Sequence, residues 1–270
     1  MKDTSEIVHP AVKAALEHMK IEEGVEIHHD GDLPARTGIG SSSSFTVGIL
    51  HTLYALKGIM PTKMQLATEA IHIERNILKE NVGSQDQVVA AIGGFNKIAF
   101  NKDGDFEVIP ITLSKERLQF LQDHLMLYFT GFVRFASEVA KTQIENTPNK
   151  RQELTLIQQM VDEVIAILNS SSDLTDFGEM LHEAWTLKRS LTEKISTSQI
   201  DEIYEAAREA GAVGGKLLGA GGGGFMLLFA RPENQPSIRG KLRRLLQVPF
   251  RFEAHGSQIV VYEPNIKPGY

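Results

Sequence analysis

A stretch rich in glycine and serine, Pro34-Ala35-Arg36-Thr37-Gly38-Ile39-Gly40-Ser41-Ser42-Ser43-Ser44, lies directly before an apolar pattern of helical spacing. Glycine lets the backbone approach a ligand closely, and the exposed N–H groups at a helix start attract an anion. Serine hydroxyls can also donate to phosphate or bind a hard cation such as Mg²⁺. The alternative is an ordinary N-capped helix, although capping needs only one serine. We interpret this first glycine stretch as a phosphate-binding loop. It is not a Walker A loop, because no Gly-Lys-Ser/Thr follows.

A second glycine stretch, residues 216–224, contains a formal G-x-G-x-x-G from Gly219 to Gly224. A dinucleotide fingerprint must open a helix, whereas residues 225–229 are typical of a strand, so the Rossmann interpretation fails. A protein-kinase glycine loop does lie between strands, but no V-A-I-K, H-R-D or D-F-G element accompanies this one. So many glycines carry a large entropic cost, which favours a functional close approach of the backbone over a simple hairpin.

Two carboxylates lie between the glycine stretches. Glu74 lies late on a predicted helix over residues 61–80, and Asp86 lies in the polar stretch Gly83-Ser84-Gln85-Asp86-Gln87 ahead of an apolar helical turn. Both could face a common cleft, where carboxylates hold Mg²⁺ or accept a proton from an attacking hydroxyl. The ordinary alternative is an exposed glutamate and an N-capping aspartate.

The remaining candidates for chemistry are weaker. Arg134 begins a predicted helix and could meet an anion there, with a surface arginine as the alternative. His182-Glu183 is not a metalloprotease motif, because Thr186 stands where the second histidine is needed.

Composition bounds the class of protein. Of the 270 residues, 42% are hydrophobic and 23% charged, which is typical of soluble globular proteins and not of disordered or fibrous ones. The net charge of −6 disfavours a surface built to neutralise nucleic-acid phosphates. The absence of cysteine excludes disulfides, thiol nucleophiles and cysteine-ligated metals. Without a signal-peptide pattern or a long apolar run, the sequence predicts a cytoplasmic protein with a small-molecule ligand and no nucleic-acid or membrane partner.

The elements that position these residues follow from hydrophobic spacing. Helical periodicity predicts helices over residues 10–18, 45–56, 61–80, 135–144, 153–168, 177–191, 198–209 and 238–246, with one further turn at 88–92. Alternation and short apolar runs predict strands at residues 25–27, 97–100, 106–113, 125–129, 216–218, 225–229, 250–252 and 259–262. This pattern indicates an α+β protein with a boundary near residue 120, dividing it into domains 1–120 and 121–270.

Taken in their order along the chain, the glycine stretches and the carboxylates resemble the GHMP kinases, the superfamily of galactokinase, homoserine kinase, mevalonate kinase and phosphomevalonate kinase. The first stretch is similar to their P-x-x-x-G-[LI]-G-S-S-[AS] phosphate loop, and the second resembles their C-terminal glycine motif. The resemblance covers essentially the whole chain. It implies the two-domain α+β fold of that family, with an S5-like N-terminal domain, incomplete in this sequence, and a ferredoxin-like C-terminal domain.

The resemblance also implies a role for each candidate position, with ATP and Mg²⁺ as cofactors. Asp86 falls where many members keep the base that accepts the proton of the substrate hydroxyl. Ser42 and Glu74 would assist Mg²⁺, and Arg134 would contact the substrate. ATP would be bound by Pro34, Gly38, Ile39, Gly40, Ser41, Ser42 and Ser43. The nucleotide and substrate cleft would be shaped by Gly221, Gly222 and Gly223.

Within the superfamily, three shorter segments most resemble the sugar kinases that phosphorylate the anomeric hydroxyl of D-glycero-D-manno-heptose 7-phosphate. The product of those kinases is the 1,7-bisphosphate. The three segments are His9-Pro10-Ala11-Val12, residues 130–138 and residues 181–188. Fucokinase-like members share much of this pattern, so a fucokinase-like or other GHMP small-molecule kinase stays open.

The family also carries a strand-rich segment, with a first motif that contributes to the substrate pocket, upstream of the helix that starts at Pro10. This sequence starts without it, so we expect ATP binding to be better supported than turnover. A non-catalytic protein that binds a nucleotide or a sugar phosphate is the competing class. Retention of Asp86 favours descent from a working enzyme, because a pure binder needs no base there.

Overall fold

The computed structural model describes residues 6–33, 37–132 and 136–264. Its contacts divide the chain into two compact units. The first unit contains Gly40–Gly94 together with Met1–Ala35 and Glu253–Tyr270, and the second contains Phe95–Phe252 together with Arg36–Ile39. In the part of the chain that the structure describes, no helix is long and apolar enough to cross a membrane.

The described part of the first unit is mainly helical. Pro10 occupies the first position of a helix, where its missing N–H removes no hydrogen bond. Thr62 caps another helix by accepting the Gln65 N–H at 3.1 Å. Buried apolar residues such as Leu50 and Leu66 form its core. The helices of this unit are α1 (Pro10–His18), α2 (Ser41–Leu56), α3 (Lys63–His72) and α4 (Gln85–Ile92), with a π-helical turn at Ile73–Ile77.

The segment after residue 252 returns to the first unit as irregular chain. The Gly94 N–H, just past α4, donates to the Glu253 carbonyl at 2.9 Å. Gly93 and Gly256 lie so close together that a Cβ on Gly93 would overlap the Gly256 backbone, with the Gly256 Cα only 2.7 Å away. Both glycines also have positive φ, 72° and 61°. Glycine is therefore required where these two segments cross.

The described part of the second unit contains two antiparallel sheets. A hairpin is formed by β1 (Asn96–Phe100) and β2 (Phe106–Pro110). The other sheet has the order β4 (Gly214–Leu217), β5 (Phe225–Phe229), β3 (Leu125–Phe129) and β6 (Leu246–Gln247). The helices of this unit are α5 (Lys115–Asp123), α6 (Ala136–Asn146), α7 (Arg151–Asn169), α8 (Thr175–Arg189), α9 (Ser198–Glu209) and α10 (Gln235–Lys241).

The four-stranded sheet has apolar packing on both faces. Successive side chains of β5 alternate between two cores, as strand geometry requires. Met226 and Leu228 belong to a core that also contains the buried Trp185 and Tyr204. Phe229 belongs to a second core. That second core includes Leu121, Leu168 and Leu174. The sheet is the framework on which the second glycine stretch, between β4 and β5, is held.

Most predicted elements are confirmed, and α1, α9, β3 and β5 are confirmed to the residue. The strands predicted at 25–27, 250–252 and 259–262 are wrong, because these residues belong to neither sheet. Alternation yields a strand only where another strand supplies hydrogen-bond partners, and no described strand pairs with these segments. The helix predicted over 238–246 ends at Lys241, and Leu246 instead pairs with Phe129 in the sheet.

The sequence analysis placed a boundary near residue 120. The contacts divide the chain at Gly94 and again at Phe252, because the chain after Phe252 returns to the first unit. The division into domains 1–120 and 121–270 stays a prediction.

Candidate active site

The first glycine stretch ends in the first turn of α2. Gly40, the residue before the helix, is left-handed with φ 73° and ψ 20°, a conformation that favours glycine. The Ser44 N–H donates to the Gly40 carbonyl at 2.9 Å and so makes the first helical bond. The N–H groups of Ser41, Ser42 and Ser43 precede that bond and have no partner within the helix. The first turn contains no acidic side chain. These amides, at the positive end of the helix, can bind an anion.

A buried carboxylate lies beneath this turn. Ser43 Oγ donates to Glu74 Oε2 at 2.9 Å, and Gln87 Nε2 donates to the same oxygen. Glu74 is 1% exposed and Gln87 is fully buried. Glu74 Oε1 and Gln87 Oε1 are also buried, and neither has a hydrogen-bond partner among the described residues. The predicted site residue Glu74 is therefore a core residue held by two donors, not the exposed glutamate of the ordinary alternative.

Glu74 lies in the π-helical turn that follows α3. In this turn, Ile73–Ile77, the backbone hydrogen bonds span five residues, which changes the direction of the side chains relative to an α-helix. The chain leaves the turn through Lys79, which has a φ of 55°. The Glu80 N–H then donates to the Glu74 carbonyl at 2.9 Å. Helical periodicity predicts one helix through residue 80 and does not predict this turn.

Asp86 lies in the first turn of α4 and is exposed. Its side chain lies against the residue before α2, since a Cβ on Gly40 would be 3.1 Å from the Asp86 Cγ. The sequence analysis placed Asp86 in a polar stretch ahead of a helical turn at 88–92, but α4 already begins at Gln85. A carboxylate in a first helical turn is stabilised by the helix dipole. Asp86 thus lies close to the start of α2, whose amides can bind an anion. That both belong to one site stays a prediction.

The oxygen atoms gathered around Glu74 fit a hard divalent cation. Mg²⁺ prefers oxygen ligands, and in nucleotide sites it takes one or two carboxylates plus phosphate oxygens. Glu74 Oε1 is a buried acceptor without a donor, an unfavourable state that a cation would relieve. No group of three or more histidine or carboxylate ligands occurs among the described residues. In a nucleotide complex, phosphate oxygens would be further ligands. The hydroxyl bonded to Glu74 is that of Ser43, whereas Ser42 is exposed. A shared metal role for Ser42 and Glu74 stays a prediction.

Within the second unit the two glycine stretches touch. A Cβ on Gly224 would overlap the Thr37 carbonyl group, whose carbon would be 2.8 Å away. A Cβ on Gly219 would be 2.8 Å from the Gly38 Cα, and one on Gly38 would be 3.2 Å from the Leu218 carbonyl oxygen. The close approach predicted for the second stretch is therefore made, in this unit, to the backbone of the first.

The remaining glycines of the second stretch are buried against other parts of the second unit. A Cβ on Gly221 would be 2.7 Å from the Ile195 Cα, and one on Gly223 would be 2.6 Å from the Phe132 carbonyl oxygen. The Gly222 N–H donates to the Ile195 carbonyl at 2.9 Å. Packing is thus sufficient to explain these glycines. The substrate-binding role predicted for Gly221, Gly222 and Gly223 stays a prediction.

Lys188 contacts the second glycine stretch and Lys216 is its first residue, and neither lysine had a predicted role. Lys188 Nζ donates to the Gly219 carbonyl. The Lys216 ammonium group, on β4, has no hydrogen bond or ion pair with any described residue, and burial lowers its pKa. Lys188 closes the segment 181–188 singled out for its resemblance, so a signal for it was present. Pro34 and Arg134 lie outside the described residues, and the roles predicted for them stay predictions.

Two family models match the chain. Residues 6–94 match the GHMP kinases N terminal domain and residues 160–247 match GHMP kinases C terminal. Together the two models cover about two thirds of the chain, including both glycine stretches, Glu74 and Asp86. The chain belongs to the GHMP kinase family and has its fold of mixed helices and sheets.

The chain is similar to two curated kinases and to one solved kinase structure. The D-glycero-alpha-D-manno-heptose 7-phosphate kinase of Campylobacter jejuni is 27% identical over 220 residues, which are 81% of this chain and 65% of the relative. The mevalonate kinase of Pyrococcus horikoshii is 27% identical over 228 residues, 82% of this chain and 64% of the relative. A crystal structure of a D-glycero-D-manno-heptose 1-phosphate kinase from Bacteroides thetaiotaomicron has a TM-score of 0.70 at 22% identity, covering 95% of this chain and 76% of that one. This chain therefore spans slightly less than two thirds of the length of the two curated relatives.

Proposed function

We propose that this protein is an ATP-dependent kinase that transfers the γ-phosphoryl group of ATP to a hydroxyl of a small sugar phosphate. The observation that carries the proposal is the arrangement at the start of α2. Helix amides without intrahelical partners, the Asp86 carboxylate against Gly40, and the buried Glu74 bonded to Ser43 occur together there. Phosphoryl transfer requires just these parts: donors for phosphate oxygens, oxygen ligands for a divalent cation and a base for the acceptor hydroxyl.

Each part has a role in the transfer. The amides of the first glycine stretch bind phosphate oxygens, and because they are fixed before the reaction they stabilise charge that develops in the transition state. Glu74 and Ser42 would hold Mg²⁺, which neutralises charge on the phosphates when it is bound. Asp86 accepts the proton of the acceptor hydroxyl while the oxygen of that hydroxyl bonds to the γ-phosphorus. The bond between the γ-phosphorus and the oxygen that bridges it to the β-phosphate breaks, and ADP leaves with the electron pair of that bond.

The acceptor we propose is D-glycero-D-manno-heptose 7-phosphate, phosphorylated on its anomeric hydroxyl. The support is the resemblance of His9–Val12 and of residues 181–188, together with the name of the Campylobacter jejuni relative. In the structure His182 bonds to the buried Tyr204 hydroxyl at 2.6 Å, and Trp185 is fully buried. Residues 181–188 therefore contribute to the core of the second unit, and their support for the acceptor is the resemblance alone.

The test is a mass-spectrometric screen of the purified chain with ATP and Mg²⁺ against heptose 7-phosphate, fucose and mevalonate. We expect ADP and heptose 1,7-bisphosphate from the parental chain, and both to form roughly 10²- to 10⁴-fold more slowly with Asp86→Asn. Transfer to fucose or mevalonate instead would replace the heptose assignment and keep the kinase. Calorimetric binding of ATP with Mg²⁺, without transfer to any of these acceptors, would contradict the heptose assignment and favour a binding protein over a kinase for these acceptors.

A further inference from the structure

The hydrogen-bond partners of the Glu74 carboxylate are distributed unevenly. Both donors, Ser43 Oγ and Gln87 Nε2, bond to Oε2. Oε1 is buried without a partner among the described residues, and so is the carbonyl oxygen of Gln87. All three side chains belong to residues that are at most 5% exposed. The unpartnered oxygens are therefore a feature of the interior of the first unit.

This uneven arrangement has a physical consequence. The terminal torsion of a glutamate is broad and two-fold, so a free carboxylate turns easily. Two donors on one oxygen hold the Glu74 carboxylate in one orientation, with Oε1 directed away from both. A buried carboxylate oxygen without compensation is unfavourable, and a cation that contacts it restores the balance.

The two donors come from different elements. Ser43 lies in the first turn of α2, the turn whose amides can bind an anion. Gln87 lies on α4, one residue after Asp86. Glu74 itself lies in the π-helical turn. One carboxylate thus connects the candidate phosphate-binding turn with the helix that carries the candidate base.

We propose that Gln87 is a positioning residue that, together with Ser43, orients Glu74 so that its Oε1 faces the divalent cation accompanying ATP. This inference rests on the proposed function and adds a residue that is not itself a cation ligand. Groups that orient metal ligands typically contribute about 10- to 100-fold to metal affinity. The sequence analysis named Gln87 only as part of the polar stretch around Asp86.

Gln65, which is exposed, provides a control for the type of bond in the same unit. Its Nε2 donates to Glu69 Oε1 at 3.0 Å and to the Tyr54 hydroxyl at 2.7 Å. Gln65→Met therefore removes an amide-to-carboxylate bond of the same type from a glutamate with no proposed cation. A purely structural Gln87 would behave like Gln65: its replacement would lower stability and leave cation affinity unchanged.

The experiment measures Mn²⁺ binding by electron paramagnetic resonance to the purified chain saturated with a non-hydrolysable ATP analogue, which supplies the phosphate oxygens. The rise in Tm that Mn²⁺ produces is the second readout. We expect Gln87→Met to weaken Mn²⁺ binding by roughly tenfold or more, Ser43→Ala to weaken it in the same direction, and Gln65→Met to keep the parental affinity. In kinetics, the apparent KM for Mg²⁺ should rise more than kcat falls in Gln87→Met.

Parental Mn²⁺ affinity in folded Gln87→Met would overturn the positioning role. If Gln87→Met does not fold, Ser43→Ala decides, because loss of one hydroxyl leaves the packing in place, and parental affinity there would overturn the role equally. Glu74→Gln tests the cation role of Glu74 separately from the positioning role of Gln87. Mn²⁺ binding unaffected by Glu74→Gln would remove the cation role of Glu74 and the positioning role with it. Loss of binding in Glu74→Gln alone would leave the proposed function intact and remove only the role of Gln87.

Discussion

The two glycine stretches are alike in composition and differ in what surrounds them. Gly40, in the first, precedes a helix start, and a side chain there would meet the carboxylate of Asp86. Gly219 and Gly224, in the second, would place a Cβ into the backbone at Thr37 and Gly38. Dense glycine therefore indicates that something approaches the backbone closely, but the partner can be a ligand or the protein itself.

Exposure separates the end of the first stretch from the later part of the second. The second stretch is buried from Gly221 to Gly224, whereas Ser42 and Ser44 at the end of the first are exposed. Buried glycines packed on backbone support the fold, and exposed hydroxyls beside helix amides can meet a ligand. The comparison predicts that changes in the second stretch affect stability first and changes in the first affect function first.

The largest effect is expected for Gly224→Ala. The new Cβ would overlap the Thr37 carbonyl at a φ of 103°, so the backbone must move, and we expect a loss of about 3 kcal/mol or more in unfolding free energy. Gly104→Ala is the matched control, because Gly104 has a similar φ of 96° and nothing within 4 Å of its Cβ position. Thermal denaturation of both variants checks this, and a parental Tm for Gly224→Ala would contradict the packing role of the second stretch.

Asp86→Asn tests the side chain that lies against the first stretch. We expect the transfer rate to fall by roughly 10²–10⁴, the usual range for loss of a general base, with nearly parental ATP affinity. Asp176→Asn is the control, since Asp176 is an exposed acidic residue at the same position in the first turn of α8. Steady-state kinetics and calorimetry measure the two quantities. A parental rate for Asp86→Asn would exclude Asp86 as the base.

Gly40→Val tests whether the first stretch binds phosphate. A β-branched side chain would press on the Asp86 carboxylate and crowd the helix amides beside it, so ATP affinity should fall on the order of 100-fold. The left-handed backbone adds a strain of about 1–2 kcal/mol, which Gly104→Val reproduces without blocking the helix start. If calorimetry found parental ATP affinity in folded Gly40→Val, the phosphate-binding assignment would be wrong.

Ser42→Ala tests the cation role of an exposed hydroxyl in the first stretch. Loss of one oxygen ligand should raise the Mg²⁺ concentration required for half-maximal activity, by roughly tenfold. Stability should stay within about 0.5 kcal/mol of the parent, because the residue is exposed. Ser44→Ala, which removes the other exposed hydroxyl of this turn, should leave the Mg²⁺ dependence unchanged. If both variants required the same Mg²⁺ concentration for half-maximal activity, Ser42 would be an ordinary surface residue and not a cation ligand.

The smallest effect concerns Lys216, the first residue of the second stretch. Burial lowers its pKa below the ordinary 10.5, so the protonated form destabilises the folded state at neutral pH. The parental chain should gain stability as pH rises from the folded pKa towards 10.5, and Lys216→Met should be more stable than the parent below that window. Denaturant melts at pH 7 and pH 10 check this. An advantage of Lys216→Met that grew with pH would contradict it.

Local rules were sufficient for much of the fold. Pro10 at a helix start, the Asp103-Gly104 turn between β1 and β2, and the apolar run of β3 each act within a few neighbouring residues. The order of the glycine stretches with Glu74 and Asp86 between them was also readable from the sequence, and the family models cover all of these positions. By contrast, the alternation at Val25 and Ile27 could not predict a strand correctly, because pairing depends on a second strand.

The sequence by itself determined which residue types are available for chemistry, their order and most of the elements that carry them. Only the tertiary structure decided that Ser43 and Gln87 share one oxygen of Glu74, and that the second glycine stretch packs on Thr37 and Gly38. The physical reason is range. Propensity and hydrophobic spacing act over one or two turns of chain, whereas the bonds to Glu74 join residues 31 and 13 positions apart. Burial and donor geometry at such separations exist only once the chain has packed.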